Sequence, residues 1–251
     1  MFKKRVSEEK EKYPVESVEE YDLNEESLAQ NPQQRTPITI CVDCSYSMRQ
    51  ERRLERVLEG LQEFCTDMAA DLIASQSVEL CLISYGGTMA RVVHDFAPPE
   101  QYQTIPPMTA EGATPLLDAV DTALENFERR KRRYSDNGIN YNRPWLILIG
   151  DGDETAAPKE LERTAALLKE ESDAKHLKVL CITVGDESRV ECASLMKLSP
   201  DGKVQYLRDL KFNAFFGWLS RSIQKTTLSL PGEEALYEPE TTWGEVLERK
   251  E

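Results

Sequence analysis

The chain has 251 residues, of which 40% are hydrophobic and 30% charged, and its net charge is −14. This length suits one α/β domain with appendages or two small domains, and the apolar fraction excludes a disordered chain. The acidic balance argues against a protein that binds nucleic acid through broad phosphate contacts. No apolar run approaches the roughly 20 residues of a membrane span, and the basic N-terminus is not followed by an apolar core. We therefore expect a cytoplasmic protein with no nucleic-acid or membrane partner.

The positions of the cysteines are typical of a protein in a reducing compartment. Five of the six lie in apolar strand-like or helix-like runs and are predicted to be small buried residues: Cys41, Cys65, Cys81, Cys181 and Cys192. Cys41 and Cys44 form a C-x-x-C, but it runs off the end of a strand and has no second pair for zinc. A redox or zinc role is therefore not favoured.

Apolar runs divide the chain into a domain and two tails. We predict a flexible acidic N-terminal tail at 1–35, an α/β domain at 36–228 and an acidic C-terminal tail at 229–251. The C-terminal tail either packs on the domain or serves as a docking peptide. Strands are predicted at 38–43, 78–85, 89–96, 145–150, 179–185 and 203–207, and helices at about 54–73, 115–134, 159–171, 189–198 and 211–226.

The alternation of strands and helices predicts the fold class. It indicates a three-layer α/β protein with a Rossmann-like open sheet, mostly parallel, and helices on both faces. Gly86-Gly87 is a hairpin-type turn, so the strand at 89–96 is antiparallel to its neighbour and lies at an edge. Ligands of such sheets bind beyond the carboxyl ends of the strands, where the strand order reverses.

Oxygen-bearing side chains gather at that rim. Asp43, Ser45 and Ser47 follow the first strand at alternate positions, so they point the same way in an extended segment. Thr114 opens a helix in a separate loop, and Asp151 follows the most continuously apolar strand. Together they supply two carboxylates and three hydroxyls, the hard oxygen ligands that Mg²⁺ prefers. The alternative is that Ser and Asp merely cap the helices that follow.

These motifs resemble those of a known family, the von Willebrand factor A (VWA) domain with its metal-ion-dependent adhesion site. The resemblance covers roughly residues 36–226 and rests on the order and spacing of three parts: Asp43-x-Ser45-x-Ser47, Gly112-Ala113-Thr114-Pro115-Leu116 and Ile149-Gly150-Asp151-Gly152. Two departures stand out, since Tyr46 and Ala113 occupy positions where the family usually has Gly. Neither departure removes a ligand, but Tyr46 at the rim reshapes the binding surface.

A closer resemblance is to the bacterial tellurium-resistance TerY-like branch of that family. It rests on Asn142-Arg143-Pro144-Trp145 and on Phe215-Phe216-Gly217-Trp218-Leu219-Ser220. The resemblance implies a stress-response complex that includes a protein kinase or phosphatase.

The family resemblance also implies a function. Ser45, Ser47 and Thr114 would bind Mg²⁺ (Mn²⁺ and Ca²⁺ are alternatives), while Asp43 and Asp151 would act largely through waters and hydrogen bonds. A metal with few direct carboxylates stays electrophilic, so an Asp or Glu from a partner protein can fill its open position. This mechanism needs no turnover, and we expect a protein-interaction module and not an enzyme.

Two other functions stay open. The first is a metal-independent scaffold that acts through its tails or through the basic helix end Arg129-Arg130-Lys131-Arg132-Arg133. The second is a metal-dependent, phosphatase-like hydrolase. Phosphatases of the haloacid dehalogenase type need D-x-D after the first strand, and Ser45 stands where the second Asp would be. Nucleotide-binding and nucleophile-elbow motifs are not found.

Overall fold

A computed structural model describes residues 31, 33–151, 157–184, 192–207, 211–228 and 244–248. Seven strands form one sheet in the order β3-β2-β1-β4-β5-β6-β7. The strands are β1 (Thr36–Asp43), β2 (Val78–Gly86), β3 (Met89–Ala97), β4 (Trp145–Gly150), β5 (Lys178–Thr183), β6 (Lys203–Leu207) and β7 (Gly244–Glu248). The helices are α1 (Arg53–Ala70), α2 (Ala74–Ser77), α3 (Leu116–Asp136), α4 (Pro158–Asp173), α5 (Ala193–Leu198) and α6 (Phe212–Leu228), and 3₁₀ turns cover Tyr46–Arg52 and Pro99–Tyr102.

The predicted fold class is confirmed. β1 pairs in parallel with β2 and β4, and β4, β5 and β6 continue the parallel array. Every residue of β1 and β4 is buried, as expected for central strands that are covered on both faces. β3 pairs antiparallel with β2 at one edge, as predicted.

The other edge carries a strand that the sequence patterns did not predict. β7 pairs antiparallel with β6 over five residues, from Lys203–Glu248 to Leu207–Gly244. It lies within the predicted C-terminal tail, so at least these five residues of the tail pack on the domain. The fold therefore has an antiparallel strand at each edge of its parallel centre.

Helices cover both faces of the sheet. α1 and α6 pack on one face, where Phe64 contacts Phe216 with ring centroids 5.6 Å apart. α3, α4 and α5 pack on the other face against residues such as Leu146 and Leu148. Alternate residues of each central strand pack into the hydrophobic core on one face or the other, which is the arrangement expected of a three-layer α/β protein. No helix in the described part of the chain is long and apolar enough to span a membrane.

Three local predictions differ from the structure. The helix predicted at 54–73 ends at Ala70, and α2 follows as a separate turn. Thr114 is predicted at the N-cap of α3 with Pro115 as the first helical residue, but the helix begins at Leu116 and Pro115 occupies the N-cap position. The basic helix end, through which a scaffold would act, is only partly exposed, because Arg130 is buried and hydrogen-bonds to Glu79.

Candidate metal centre

The candidate site lies where two neighbouring strands end. β1 ends at Asp43 and β4 ends at Gly150, directly before Asp151, and the two strands are parallel neighbours. From β1 the chain moves outward to β2 and β3 on one side, and from β4 to the remaining strands on the other. Asp43 and Asp151 therefore flank the point where the strand order reverses, the usual ligand position in open α/β sheets.

A chain of hydrogen bonds joins four of the five predicted ligands. The backbone N–H of Ser45 donates to Asp43 Oδ1 at 2.7 Å. The hydroxyl oxygens of Ser45 and Ser47 lie 3.0 Å apart, and the Ser47 hydroxyl donates to Asp151 Oδ1 at 2.6 Å. The strand-end loop and the second carboxylate thus form one polar cluster, as the spacing of the motifs predicts.

Asp43 is the buried centre of this cluster and lacks one partner. The residue is 0% exposed, and its Oδ2 atom accepts no hydrogen bond from any described residue. A Cβ on Gly150 would lie 2.9 Å from this oxygen, so glycine is needed there for the carboxylate to fit. Native proteins rarely leave a buried carboxylate oxygen unpaired, and a role in binding an ion is one of the few explanations. The residues present therefore fit a bound cation.

The ionisation of Asp43 points the same way. The pKa of this carboxyl is raised to about 7, mainly by burial and to a lesser extent by the Asp151 charge, while hydrogen bonds from Ser45 and from the Asp151 backbone act in the opposite direction. Desolvation disfavours the charged form of a carboxyl, and a nearby cation reverses that preference. Without a cation, Asp43 is thus a poorly stabilised carboxylate at neutral pH.

The Thr114 loop is tied to the Asp43 loop through its backbone. Glu111 N–H donates to the Cys44 carbonyl at 2.7 Å, and Tyr46 N–H donates to the Gly112 carbonyl at 3.2 Å. Gly112 has φ +66°, and a Cβ there would lie 2.4 Å from Gly87 Cα, so only glycine suits this crossing. Thr114 lies two residues after Gly112 and is buried, and α3 begins two residues later at Leu116.

Arg53 is a site residue that the sequence patterns missed. It stands in a mostly charged run of residues at 51–56 that is typical of a solvated helix face, but its Nη1 donates to Asp151 Oδ2 at 2.6 Å. The two side chains are 9% and 1% exposed, so this ion pair is buried in the site. The spacing carried the signal, since Arg53 lies four residues before Val57 on the apolar stripe of α1.

The rim of the site is aromatic and basic. Tyr46 is 65% exposed, and the Arg49 guanidinium lies 4.9 Å from the centroid of its ring. The Nε of Arg49 donates to the Ala110 carbonyl at 2.7 Å, which fixes the stem of this exposed arginine. Asp153 and Glu154, which the sequence places near the site, lie outside the described residues.

The donor chemistry favours a hard cation. No three His, Cys, Asp or Glu side chains cluster together in the part of the chain that the structure describes. The candidate set has two carboxylates with serine and threonine hydroxyls, whereas zinc sites use thiolates and imidazoles. Cys44 lies beside Asp43, but burial raises the pKa of its thiol to about 12, so it is not a ready thiolate ligand.

Comparisons with known proteins identify the fold of this chain. Neither a family model nor a curated protein sequence matches the chain. Among solved structures, the vWF domain of the type V pili tip protein Mfa5 from Porphyromonas gingivalis aligns with a TM-score of 0.54 at 11% identity, covering 81% of this chain and 99% of that one. This chain has the fold of von Willebrand factor A domains.

Two further solved structures align with most of this chain. Proximal thread matrix protein 1 from the mussel byssus, solved with a zinc-occupied MIDAS motif, aligns with a TM-score of 0.51 at 15% identity, covering 78% of this chain and 46% of that chain. The pilus adhesin SpaC from Lactobacillus rhamnosus GG, in its open conformation, gives a TM-score of 0.54 at 14% identity and covers 78% of this chain and 31% of that chain. The match thus spans less than half the length of either protein.

Proposed function

We propose that the chain is a non-enzymatic, Mg²⁺-dependent protein-interaction module whose metal binds an Asp or Glu side chain of a partner. The observation that carries the proposal is the unpartnered Oδ2 of buried Asp43, set beside a row of hydroxyls at the switch point of a VWA fold. Mn²⁺ and Ca²⁺ are alternative ions, because both also take oxygen ligands.

Each predicted ligand has a distinct role in this proposal. Ser45, Ser47 and Thr114 hold the ion through hydroxyl oxygens. Asp43 and Asp151 orient those hydroxyls and balance charge, as the 2.6 Å bond from Ser47 to Asp151 illustrates. A bound Mg²⁺ supplies an electrophilic position that a carboxylate can fill. Neutral hydroxyl ligands leave more of the positive charge for that incoming carboxylate than a ring of acidic ligands does.

The rim gives the partner a second contact. Tyr46 stands between the two metal-site serines in sequence and exposes most of its ring, while Arg49 lies over that ring. Tyrosine and arginine are the residue types most often found at energetically dominant interface positions. Arg49 has no carboxylate partner among the described residues, so an acidic partner segment can meet both the metal and this guanidinium.

The chemistry of the cluster supports recognition and not catalysis. The second position of the strand-end motif is Ser45, so no acidic side chain stands where a phosphatase needs its general acid. Burial raises the pKa values of Cys44 and Cys65 to about 12, which keeps these thiols protonated and poorly nucleophilic. Adhesin and pilus-tip proteins among the structural neighbours are consistent with a binding role.

The basic helix end does not favour the alternative scaffold function. Arg130 is buried, and Arg129 pairs with Asp95 at 2.7 Å, so part of this run is engaged within the domain. A docking patch formed by all five basic residues of the run would need these contacts to break.

The proposed setting is a bacterial tellurium-resistance or stress-response complex with a protein kinase or phosphatase. It rests on the TerY-like resemblance alone. The residues that carry the resemblance serve the core in this structure: Phe215 packs against both Phe216 and Trp218, and Asn142 donates to the Thr36 hydroxyl at 2.9 Å. These residues hold the core together, so the setting and the partner's identity have to come from experiment.

Affinity capture with and without chelator tests the proposed function. The tagged wild-type chain is compared with Asp151→Asn and with Asp67→Asn, a matched control on the exposed face of α1. Captured proteins are then purified and their binding is measured by biolayer interferometry. We expect the true partner to be lost with EDTA and with Asp151→Asn, and retained by Asp67→Asn. A purified partner that binds equally well in EDTA would contradict the metal-dependent function.

A further inference from the structure

The Arg53–Asp151 ion pair differs from the surface ion pairs of the chain. Arg53 Nη1 lies 2.6 Å from Asp151 Oδ2, and the side chains are 9% and 1% exposed. The pair Lys169–Asp173, in contrast, has side chains that are 60% and 64% exposed. Exposed ion pairs of that kind contribute little to stability, whereas neither partner of a buried pair can be removed without leaving an uncompensated buried charge.

The position of Arg53 is locally unfavourable. It is the first residue of the 18-residue helix α1, where the helix dipole favours acidic side chains and disfavours a guanidinium. The two residues before it, Glu51 and Arg52, have φ values of +52° and +56°, and no side chain caps the helix. Positive φ in a non-glycine residue is strained, and strain of this kind collects at functional sites. The fold therefore has two locally unfavourable features where the guanidinium enters the site: a cation at the N-terminus of the helix, and two residues with positive φ.

The hydrogen bonds of Asp151 divide its two oxygens between two tasks. Oδ1 accepts the Ser47 hydroxyl, and Oδ2 accepts the Arg53 guanidinium. Arg53 thus neutralises this carboxylate from the side away from the serine row. Among the described residues of the cluster, Asp43 and Asp151 are negative and Arg53 is positive, which leaves one negative charge in excess.

We propose that Arg53 is a built-in counter-cation that lowers the affinity of the site for its divalent ion and leaves that ion with surplus positive charge for a partner's carboxylate. This inference rests on the proposed function. Two carboxylates alone would balance a divalent ion, and the incoming acidic side chain would then gain little. With Arg53 in place, the described residues leave the ion with an uncompensated positive charge, which a partner's carboxylate can neutralise.

The competing role for Arg53 is purely structural, as a clamp that holds Asp151 in position. The two roles differ in the sign of one measurement. Charges of like sign repel within the low-dielectric site, so removal of a repelling cation tightens metal binding. Removal of a mere clamp loosens Asp151 and weakens metal binding.

The test is Mn²⁺ affinity, measured on the full chain by the electron paramagnetic resonance signal of free Mn²⁺. Arg53→Gln removes the charge, and Arg53→Met removes it while keeping an apolar stem. Arg53→Lys keeps the charge. Arg52→Gln is the matched control, because this neighbouring arginine is 72% exposed and pairs only loosely with Glu59 at 3.8 Å. Thermal unfolding in chelator shows that each variant is folded.

We expect Arg53→Gln and Arg53→Met to bind Mn²⁺ at least about tenfold more tightly than wild type. Arg53→Lys and Arg52→Gln should stay within about threefold of wild type, since the first retains the site charge and the second changes only a screened surface charge. Unchanged or weaker binding in the two neutral variants overturns the counter-cation role. The absence of Mn²⁺ binding in wild type and in every Arg53 variant overturns the proposed function itself, so the two failures are distinguishable.

Discussion

Two buried carboxylates on neighbouring strands, Glu79 and Asp43, have opposite environments. Glu79 lies near the start of β2 and is 3% exposed, while Asp43 ends β1 and is 0% exposed. Because β1 and β2 are parallel, these residues lie toward opposite ends of the sheet. Similar burial costs a carboxylate a similar desolvation free energy, so the difference between the two lies in what surrounds them.

Glu79 is fully supplied with partners. Arg130 Nε donates to its Oε2 at 2.7 Å, and the Tyr134 hydroxyl donates to the same oxygen. Arg130 Nη2 and Arg35 Nε lie 2.7 and 3.5 Å from Oε1 and form ion pairs with it. Asp43 Oδ1 accepts the backbone N–H of Ser45 at 2.7 Å, but Oδ2 has no partner within hydrogen-bond distance in the described structure, and no arginine pairs with this carboxylate among the described residues. A carboxylate that serves the fold is satisfied within the chain, and one that serves a ligand is left incomplete.

The largest effect is expected when the satisfied carboxylate is neutralised. Glu79→Gln leaves two buried guanidinium groups without a counter-charge, which we expect to lower the free energy of unfolding by about 3–5 kcal/mol. Urea denaturation measures the change, and Mg²⁺ should not restore the loss. A change below about 1 kcal/mol would show that the charge of Glu79 is not needed to hold Arg35 and Arg130 in the core.

Neutralising Asp43, the carboxylate with an unpaired oxygen, is expected to change the free energy of unfolding in the opposite direction. The pKa of Asp43 is about 7 in the fold, above its usual value of 3.8, so the native state holds this proton more tightly than the unfolded state does. In chelator, wild type should therefore lose stability relative to Asp43→Asn as pH rises from 4 to 7, by at most about 1.4 kcal/mol for each pH unit. Above pH 7 the difference should stay constant.

Paired urea denaturations of the two proteins at several pH values give this difference directly. The comparison removes the contribution of the other carboxylates, which titrate in both proteins. A stability difference that does not change between pH 4 and 7 would show that Asp43 is already as well satisfied as Glu79.

A smaller effect is expected at the serine row. Ser47→Ala removes the hydroxyl that donates to Asp151 Oδ1, at a cost to stability of about 1 kcal/mol. The same change removes a proposed ligand and should weaken Mn²⁺ binding by about tenfold or more. Ser75→Ala, in the short helix α2, is the matched control and should leave Mn²⁺ affinity unchanged. Equal Mn²⁺ affinity in Ser47→Ala and wild type would exclude Ser47 as a ligand.

The smallest effect on stability is expected at the rim. Tyr46 is 65% exposed, so Tyr46→Ala should change the free energy of unfolding by no more than about 0.5 kcal/mol. Mn²⁺ affinity should not change, but affinity for the captured partner should fall about tenfold. Tyr141→Ala is a control. Tyr141 pairs with Arg35, the residue before the start of β1, and β1 reaches the site at its other end. If both variants bind the partner as wild type does, Tyr46 is not part of the binding surface.

The convergence of Asp43, Ser45, Ser47 and Asp151 was predictable because it follows from strand order. Parallel strands end at one edge of a sheet, so side chains that follow two central strands meet there. The alternating apolar runs were long enough to locate those strands within two residues, as β4 shows. The ligand roles of these residues and of Thr114 stay predictions.

Features that depend on long-range partners were not predictable. β7 is a short segment with two apolar residues, Val246 and Leu247, and it becomes a strand only because β6 offers an open edge. Arg53 and Arg130 stand in charged runs that are typical of solvated helix faces, yet each turns to a buried carboxylate on another element. Their helical spacing from apolar neighbours was the available signal, and sequence alone does not name the distant acidic partner.

The most direct test of the central claim is a calorimetric titration of Mg²⁺ into the wild-type chain and into Asp43→Asn, at pH 8 after removal of metal by chelator. At this pH the Asp43 carboxyl of wild type, with a pKa of about 7, is mostly ionised and ready for a cation. The account predicts one binding event in wild type and none in Asp43→Asn. Equal heats in the two proteins, or no binding in either, would contradict it.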